Sequence, residues 1–103
     1  MVVLIINLMS ELIEHELHQL NGKAVDVVRP GYGTQSDSWT GMLHNAGNGY
    51  PLEFQFIHVG GSILFQATDV TKVEPRNTTH ERMSQAVVRL KGPEQYQSHH
   101  VHA

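Results

Sequence analysis

The segment SILFQATDVTKVEP, residues 62–75, decides the fold because the spacing of its apolar residues changes twice. It begins as a strand with Phe65 on the buried side, and the next apolar residues, Val70 and Val73, follow at intervals of five and three residues. A polar interval therefore separates two strands. The first is predicted to end two residues after Phe65, and the second is a very short strand that begins at Val70 and is closed by Pro75.

Three segments upstream of this stretch alternate apolar and polar residues and are separated by turn-rich sequence. Their alternating residues are Val25 and Val27, then Trp39, Gly41 and Leu43, and then Leu52, Phe54 and Phe56. A glycine inside a strand is typical of a bulge or a sharp bend. Gly60-Gly61 is a hairpin signal. Five short strands, one bent at a glycine, predict a mainly β fold, a small closed or nearly closed antiparallel barrel over residues 23–74.

An amphipathic helix is predicted before the barrel, over residues 9–21. Ser10 is a good N-cap, and apolar residues recur at helical spacing until Asn21-Gly22 ends the pattern. Acidic residues fill the first turns, where the helix dipole favours negative charge.

A second helix is predicted after the barrel, over residues 79–91. Thr78 followed by Glu81 fits a capping box. The apolar residues at helical spacing are Met83, Ala86, Val87 and Leu90, and the stop signal is Gly92-Pro93. Residues 94–103 have no apolar period and are expected to form a disordered, His-rich tail. Residues 1–93 are then a single domain with two flanking helices.

Composition limits the classes of function. The 103 residues carry a net charge of −3, which argues against a surface that grips DNA or RNA by bulk electrostatics. The chain has no cysteine, so neither a disulfide nor a thiolate ligand is available. The apolar run Val2–Ile6 is far shorter than the roughly 20 residues that cross a bilayer. We therefore expect a soluble, cytoplasmic protein with no membrane partner.

Three segments resemble the sequence motifs of the Sm-like proteins, the superfamily of the Sm, LSm and Hfq proteins. LNGKAVDV (residues 20–27) and WTGML (residues 39–43) are similar to the first Sm motif. FQATDVTKV (residues 65–73) has the spacing of the second motif, in which Ile-Arg-Gly precedes two aliphatic residues, each after an interval of two. The resemblance extends roughly from Ser10 to Glu74. It implies an SH3-type barrel of five strongly bent antiparallel strands.

The resemblance also implies how the protein assembles and what it binds. Sm-like proteins form rings in which strand four of one subunit pairs with strand five of the next, so a homo-oligomeric ring of five to seven subunits is expected. Their pore loops bind single-stranded, often uridine-rich RNA, which suggests a role in RNA processing or regulation. The candidate RNA-binding residues in this chain are His44, Asn45, Asn48, Tyr50, Gln66 and Thr68.

These candidates have chemical roles and plainer alternatives. His44 or Tyr50 would stack on a base, and Asn48 or Gln66 would bond a base edge. Gln66 stands where the family has an RNA-contacting arginine, and Ala67 replaces the family's glycine. Alternatively, the asparagines and glycines build a turn, Tyr50 packs on the barrel, and Gln66 satisfies backbone groups of a neighbouring subunit. In that case the protein is an oligomeric scaffold or protein-interaction ring that binds no RNA.

Enzymatic and metal-binding functions are not expected. The sequence has neither a G-x-S-x-G elbow nor a glycine-rich phosphate loop. HELH, residues 15–18, has histidines three positions apart, one fewer than in the zinc-protease motif, and a surface helix is the favoured interpretation. HHVH, residues 99–102, would bind metal only incidentally. The sequence therefore predicts no catalytic residue, no cofactor and no functional metal site.

Overall fold

A computed structural model of the chain describes residues 2–45, 53–78, 80 and 82–94, and for residues 2–10 it describes the backbone alone. In chain order the elements are helix α1 (Val2–Gln19) and strands β1 (Ala24–Pro30), β2 (Ser36–Asn45), β3 (Glu53–His58), β4 (Gly61–Gln66), β5 (Val70–Pro75) and β6 (Ala86–Leu90). A 3-10 turn, Ala67–Asp69, connects β4 to β5.

The strands form one six-stranded sheet in the order β4-β3-β2-β1-β6-β5. Strands β1 to β4 are an antiparallel meander. Strand β6 lies between β1 and β5, parallel to β1 and antiparallel to β5. Strands β4 and β5 are therefore the two edges of the sheet, although the 3-10 turn alone separates them in sequence.

The sheet is strongly curved. In a flat sheet β4 and β6 would lie about 19 Å apart, because neighbouring strands are spaced by about 4.8 Å. Here Phe65 of β4 and Leu90 of β6 line the same pocket of about 220 Å³. The sheet thus curls toward a barrel and leaves a seam between β4 and the far strands.

One apolar core fills the concave side of the curved sheet. Each strand contributes side chains to it, and α1 covers it with a fully buried leucine. We name the core-facing side of the sheet the inner face and the opposite side the outer face. The buried core residues are Leu17, Val25, Val27, Leu43, Phe54, Phe56, Phe65, Ala67, Val70, Ala86, Val88 and Leu90.

Two backbone irregularities explain the spacing of Phe65, Val70 and Val73. The 3-10 turn occupies Ala67–Asp69, so the strand that follows it starts with a buried residue five positions after Phe65. A β-bulge then makes Thr71 an extra residue opposite β6. Val73 consequently packs against the core three residues after Val70, where a regular strand would need two or four.

The prediction of a closed barrel of five strands is wrong. The mainly β character and the N-terminal helix are confirmed, but the sheet has six strands and is open between β4 and β5. The reason is β6, which pairs with β1 over residues 26–28 and with β5 on its other side. Because β6 occupies the free edge of β1, β5 lies one strand further out.

The predicted C-terminal helix over residues 79–91 is also wrong, since Ala86–Leu90 forms β6. A short run of apolar residues fits a helix and a buried strand equally well by spacing alone. Ala86, Val87 and Val88 are all buried because β6 is paired on both sides and covered on both faces. Such continuous burial is typical of a central strand.

Helix α1 is longer than predicted, spanning Val2–Gln19 instead of residues 9–21. The apolar run at its start is therefore helical. Gly22, with φ +78°, adopts a conformation that other residues avoid, and it turns the chain from the helix into β1.

Two predicted features of the C-terminal part, the capping residue Glu81 and residues 95–103 of the tail, lie outside the described residues. Glu94, the first residue of the predicted tail, is described. Its carboxylate accepts a hydrogen bond from the Gly33 N–H at 2.9 Å, so it is attached to the β1–β2 turn.

Gly41 marks a close approach of β2 and β3. It lies between Val25 and His58 in the sheet. A Cβ atom at this position would lie 2.1 Å from the Ile57 carbonyl oxygen and 3.0 Å from the Phe56 ring. A Cβ atom cannot lie this close to a backbone carbonyl oxygen, so glycine is required at position 41.

Ion pairs cover the outer face of β1, β5 and β6. Asp26 pairs with Arg76 at 2.8 Å. Glu74 accepts a hydrogen bond from Arg89 Nε at 2.6 Å and lies 3.8 Å from the Lys72 ammonium. The bond from Arg89 lowers the pKa of Glu74 below its ordinary 4.5.

Replacing Gly41 with Ala should lower the free energy of unfolding by about 1–3 kcal/mol, because β2 and β3 must separate to admit the methyl group. Urea denaturation measures the change. Gly31→Ala is the matched control, since a Cβ there would lie 3.4 Å from its nearest neighbour, the Gln35 Cβ. Equal effects of the two substitutions would contradict the close approach at Gly41.

Glu74→Gln should reduce stability at neutral pH and have little effect at acid pH. A carboxyl group with a lowered pKa stabilises the folded state above its unfolded pKa, and this contribution is lost as pH falls through the folded pKa. Denaturation midpoints of both proteins across the acid range test this. Glu53→Gln, at an exposed residue, controls for the loss of one negative charge. A difference that stays constant with pH would contradict the role of the Arg89 bond.

Candidate nucleic-acid interface

Four of the six predicted RNA-binding residues lie at one end of the sheet, where β2 and β4 finish and β3 begins. Antiparallel pairing places the end of β2 beside the start of β3, and the start of β3 beside the end of β4. The four residues are His44, Asn45, Gln66 and Thr68. The other two, Asn48 and Tyr50, lie outside the described residues.

Gln66 is the N-cap of the 3-10 turn and forms a capping box with Asp69, whose backbone N–H donates to the Gln66 side chain. The Gln66 N–H donates to Asp69 Oδ2 at 2.9 Å, which closes the start of the 3-10 turn. The Asp69 carbonyl accepts the Lys91 N–H at 2.8 Å and so attaches the turn to the end of β6. Strand alternation puts the Gln66 side chain on the outer face, opposite Glu53 of β3. Thr68 is exposed in the middle of the turn.

Asn45 connects α1 to the sheet. Its backbone N–H donates to Asn21 Oδ1 at 2.9 Å, and its side-chain amide donates to His18 Nδ1 at 3.1 Å. The His18 ring in turn lies edge-on to Phe54, with the ring centroids 5.4 Å apart. Asn45 therefore has a structural role at the junction between helix and sheet.

The outer face beside His44 carries apolar side chains that sequence reasoning missed. His44 lies opposite Gln55, and Gln55 lies opposite Leu64. Met42 and Ile57 form the neighbouring pair, and both are exposed, as is Leu64. Strict alternation with core residues was the available signal, because it places all three on the face away from the core.

The side chains of the candidate site form hydrogen bonds, and none of them is a guanidinium, ammonium or carboxylate group. His44 offers an imidazole, Gln66 an amide and Thr68 a hydroxyl, all of which donate or accept hydrogen bonds. The charges nearby are mixed, since Glu53 lies opposite Gln66 and Lys91 follows from the end of β6. These side chains suit the edges and faces of bases better than phosphate groups.

Near the end of β1, a cation and aromatic rings contact each other on the inner face. The Arg29 guanidinium lies 5.2 Å from the Trp39 ring centroid. His58 lies 5.7 Å from Trp39 and stacks on Phe56, also at 5.7 Å. The sequence did not reveal this cluster because the β1–β2 and β2–β3 registers create it.

The two histidines of the HELH segment have separate partners. His15 Nε2 lies 3.0 Å from Gln19 Nε2, whereas His18 accepts the Asn45 amide. Across the described part of the chain, no group of three His, Cys, Asp or Glu side chains is placed to hold a metal ion.

The described residues form a mainly β domain, which consists of an open, strongly curved sheet and an N-terminal helix. No protein-family model, curated protein or solved structure matches the chain. Among the residues described, no helix is both long and apolar enough to cross a membrane. Function must therefore be inferred from the surfaces of the sheet.

Asn45→Ala should lower the free energy of unfolding by about 0.5–1.5 kcal/mol, because the bond to His18 is lost. In a double-mutant cycle with His18→Ala the two losses should not add. Gln55→Ala, which removes an amide from the outer face at the same end, is the control and should have a smaller effect. Additive losses of stability at His18 and Asn45 would mean that the two side chains do not support each other.

Proposed function

We propose that the protein binds single-stranded, uridine-rich RNA and does so as an oligomer. The supporting observation is that His44, Gln66 and Thr68 all lie at one end of the sheet. An imidazole stacks on a base, and amide and hydroxyl groups bond base edges, which is how single-stranded RNA is recognised. Gln66 is also the last residue of an edge strand, so association near β4 brings such sites together.

The amide at position 66 sets the expected strength of binding. An amide cannot neutralise phosphate or stack as a guanidinium does. The net charge of −3 adds no long-range attraction for RNA. Affinity should therefore be lower, and less sensitive to salt, than an arginine at position 66 would give.

Association is supported by the two edges of the sheet. Strands β4 and β5 each pair with one neighbour among the described strands, and unpaired edges favour contact with another chain. The ring of five to seven subunits requires β4 of one copy to pair with β5 of the next, and it stays a prediction.

An oligomeric scaffold without RNA binding is the second candidate. Met42, Ile57 and Leu64 are exposed on one face of three adjacent strands. Grouped apolar side chains on a surface are typical of protein contacts. This surface directly adjoins His44, so a protein contact there would compete with RNA.

Gln66→Arg should tighten binding to uridine-rich single strands and make it more sensitive to salt. Each phosphate neutralised in a single strand adds a slope of about −0.7 to log affinity against log salt. Gln66→Ala should weaken binding, because an amide that bonds base edges is lost. Fluorescence-anisotropy titrations of the native protein and both variants at several salt concentrations measure these effects.

Ser38→Arg is the matched control, because it adds the same charge to an exposed residue at the other end of β2. It should change RNA affinity less than Gln66→Arg does. If the oligomer stays intact and all variants bind identically, or none binds, RNA does not bind at Gln66 and the scaffold function is preferred.

A further inference from the structure

The two edges of the sheet differ in how well they are protected from other chains. Strand β5 has a bulge at Thr71, an exposed lysine at Lys72 and a proline at Pro75, and α1 packs against it. All of these features discourage pairing with another strand. Strand β4 has no charged residue and no proline, and its register with β3 is regular over all six residues. The open edge is therefore β4.

The hydrogen-bonding groups of this edge follow from the β3–β4 hairpin. His58 and Gly61 flank a two-residue turn, so they form the hydrogen-bonded pair next to it. By alternation, Ser62 and Leu64 direct their N–H and C=O groups away from β3. The Gln66 N–H also points away from β3, but it already donates a hydrogen bond to the Asp69 carboxylate. Ser62 and Leu64 are thus the two residues whose N–H and C=O groups are both available to an added strand.

Space for the side chains of an added strand exists beside this edge. The pocket of about 220 Å³ at the seam is bounded on one side by residues 63–65 of β4 and on the other by Arg29, Leu90 and Lys91. Every second side chain of a strand added to β4 would point toward this pocket, as Ile63 and Phe65 do. The lining of this pocket is mixed, with the charged residues Arg29, Asp69 and Lys91 beside apolar residues of β4 and β6.

We infer that the occupant is β4 of a second copy, paired antiparallel across a two-fold axis. In this register Ser62 lies opposite Leu64 of the second copy and Leu64 opposite its Ser62, so the available N–H and C=O groups of both residues are used. Ile63 lies opposite its own counterpart at the axis. A register centred on Leu64 would require the Gln66 N–H, which Asp69 holds. The inference rests on the self-association in the proposed function, places a β4–β4 dimer where that function expects a β4–β5 ring, and is independent of RNA binding.

Charge supports a self-pairing of β4. A two-fold axis places each residue of the strand near the same residue of the second copy. Charged residues on the strand would therefore lie close to residues of the same charge. Residues 61–66 carry no charge. On the outer face, Leu64 of one copy lies diagonally across from Leu64 of the other, within reach for two long side chains.

The first test is the mass of the native protein in sedimentation velocity, without RNA and at micromolar concentration. A dimer is expected. A monomer overturns the inference, and so does a mass of five to seven chains, because a ring uses β4 and β5 together. Anisotropy titration of the same samples with RNA is read separately. A dimer that binds no RNA supports this inference and rejects the RNA function, and a monomer that binds RNA does the reverse.

Disulfide trapping tests the register. The chain has no cysteine, so a single introduced thiol can pair only with another copy. Opposed residues of a non-hydrogen-bonded pair have Cα atoms about 4.5 Å apart, within the range of a disulfide. Under mild oxidation Ile63→Cys should form a covalent dimer about tenfold faster, or more, than Val59→Cys. Val59 lies in the exposed hairpin turn and reports random collision. Equal rates overturn the register.

A charge substitution keeps the inference testable if Ile63→Cys fails to fold. Leu64→Lys places two like charges across the axis and should raise the dimer dissociation constant by about tenfold or more. Leu12→Lys is the matched control, since Leu12 is 61% exposed and Leu64 is 59% exposed. It lies on α1, outside the paired strand, and should leave the dissociation constant unchanged. A dimer that resists Leu64→Lys overturns the inference.

Discussion

Asp69 fixes the turn between β4 and β5 through two hydrogen bonds. Its carboxylate accepts the Gln66 N–H, which ends β4, and its carbonyl accepts the Lys91 N–H, which fixes the same point to the end of β6. Two strands that are adjacent in sequence are thereby sent to opposite edges of the sheet. Because these edges are joined by three residues of 3-10 turn, the sheet must curl, and its curvature encloses the apolar core.

The curl stops short of a closed barrel because of β6. The edge of β1 is filled by Asp26–Val28 pairing with β6, and β5 is consequently the outer strand. Helix α1, the bulge and Pro75 protect that edge. On the other side of the seam β4 has no such protection, so the same arrangement that buries the core leaves one edge available for association.

The sequence predicted an element correctly where the spacing of its apolar residues fits only one type of secondary structure. The intervals after Phe65 located the break between β4 and β5, although a 3-10 turn and a bulge were not distinguishable from a loop. The helical reading of Ala86–Leu90 failed because burial on both faces removes the period that separates strand from helix. The role of Asn45 in binding His18, and the cluster of Arg29 with Trp39, depend on register and packing between elements, which one sequence does not specify.

Pairing through β4 and RNA binding at Gln66 are compatible for a physical reason. The Gln66 N–H is held by Asp69, so the intermolecular ladder ends at Leu64 and does not extend to the end of the strand. The Gln66 side chain lies on the outer face, while pairing uses groups in the plane of the sheet. An added strand therefore approaches Gln66 without covering it. Asp69 both positions the candidate RNA-binding residue and limits how far a second copy can pair along β4.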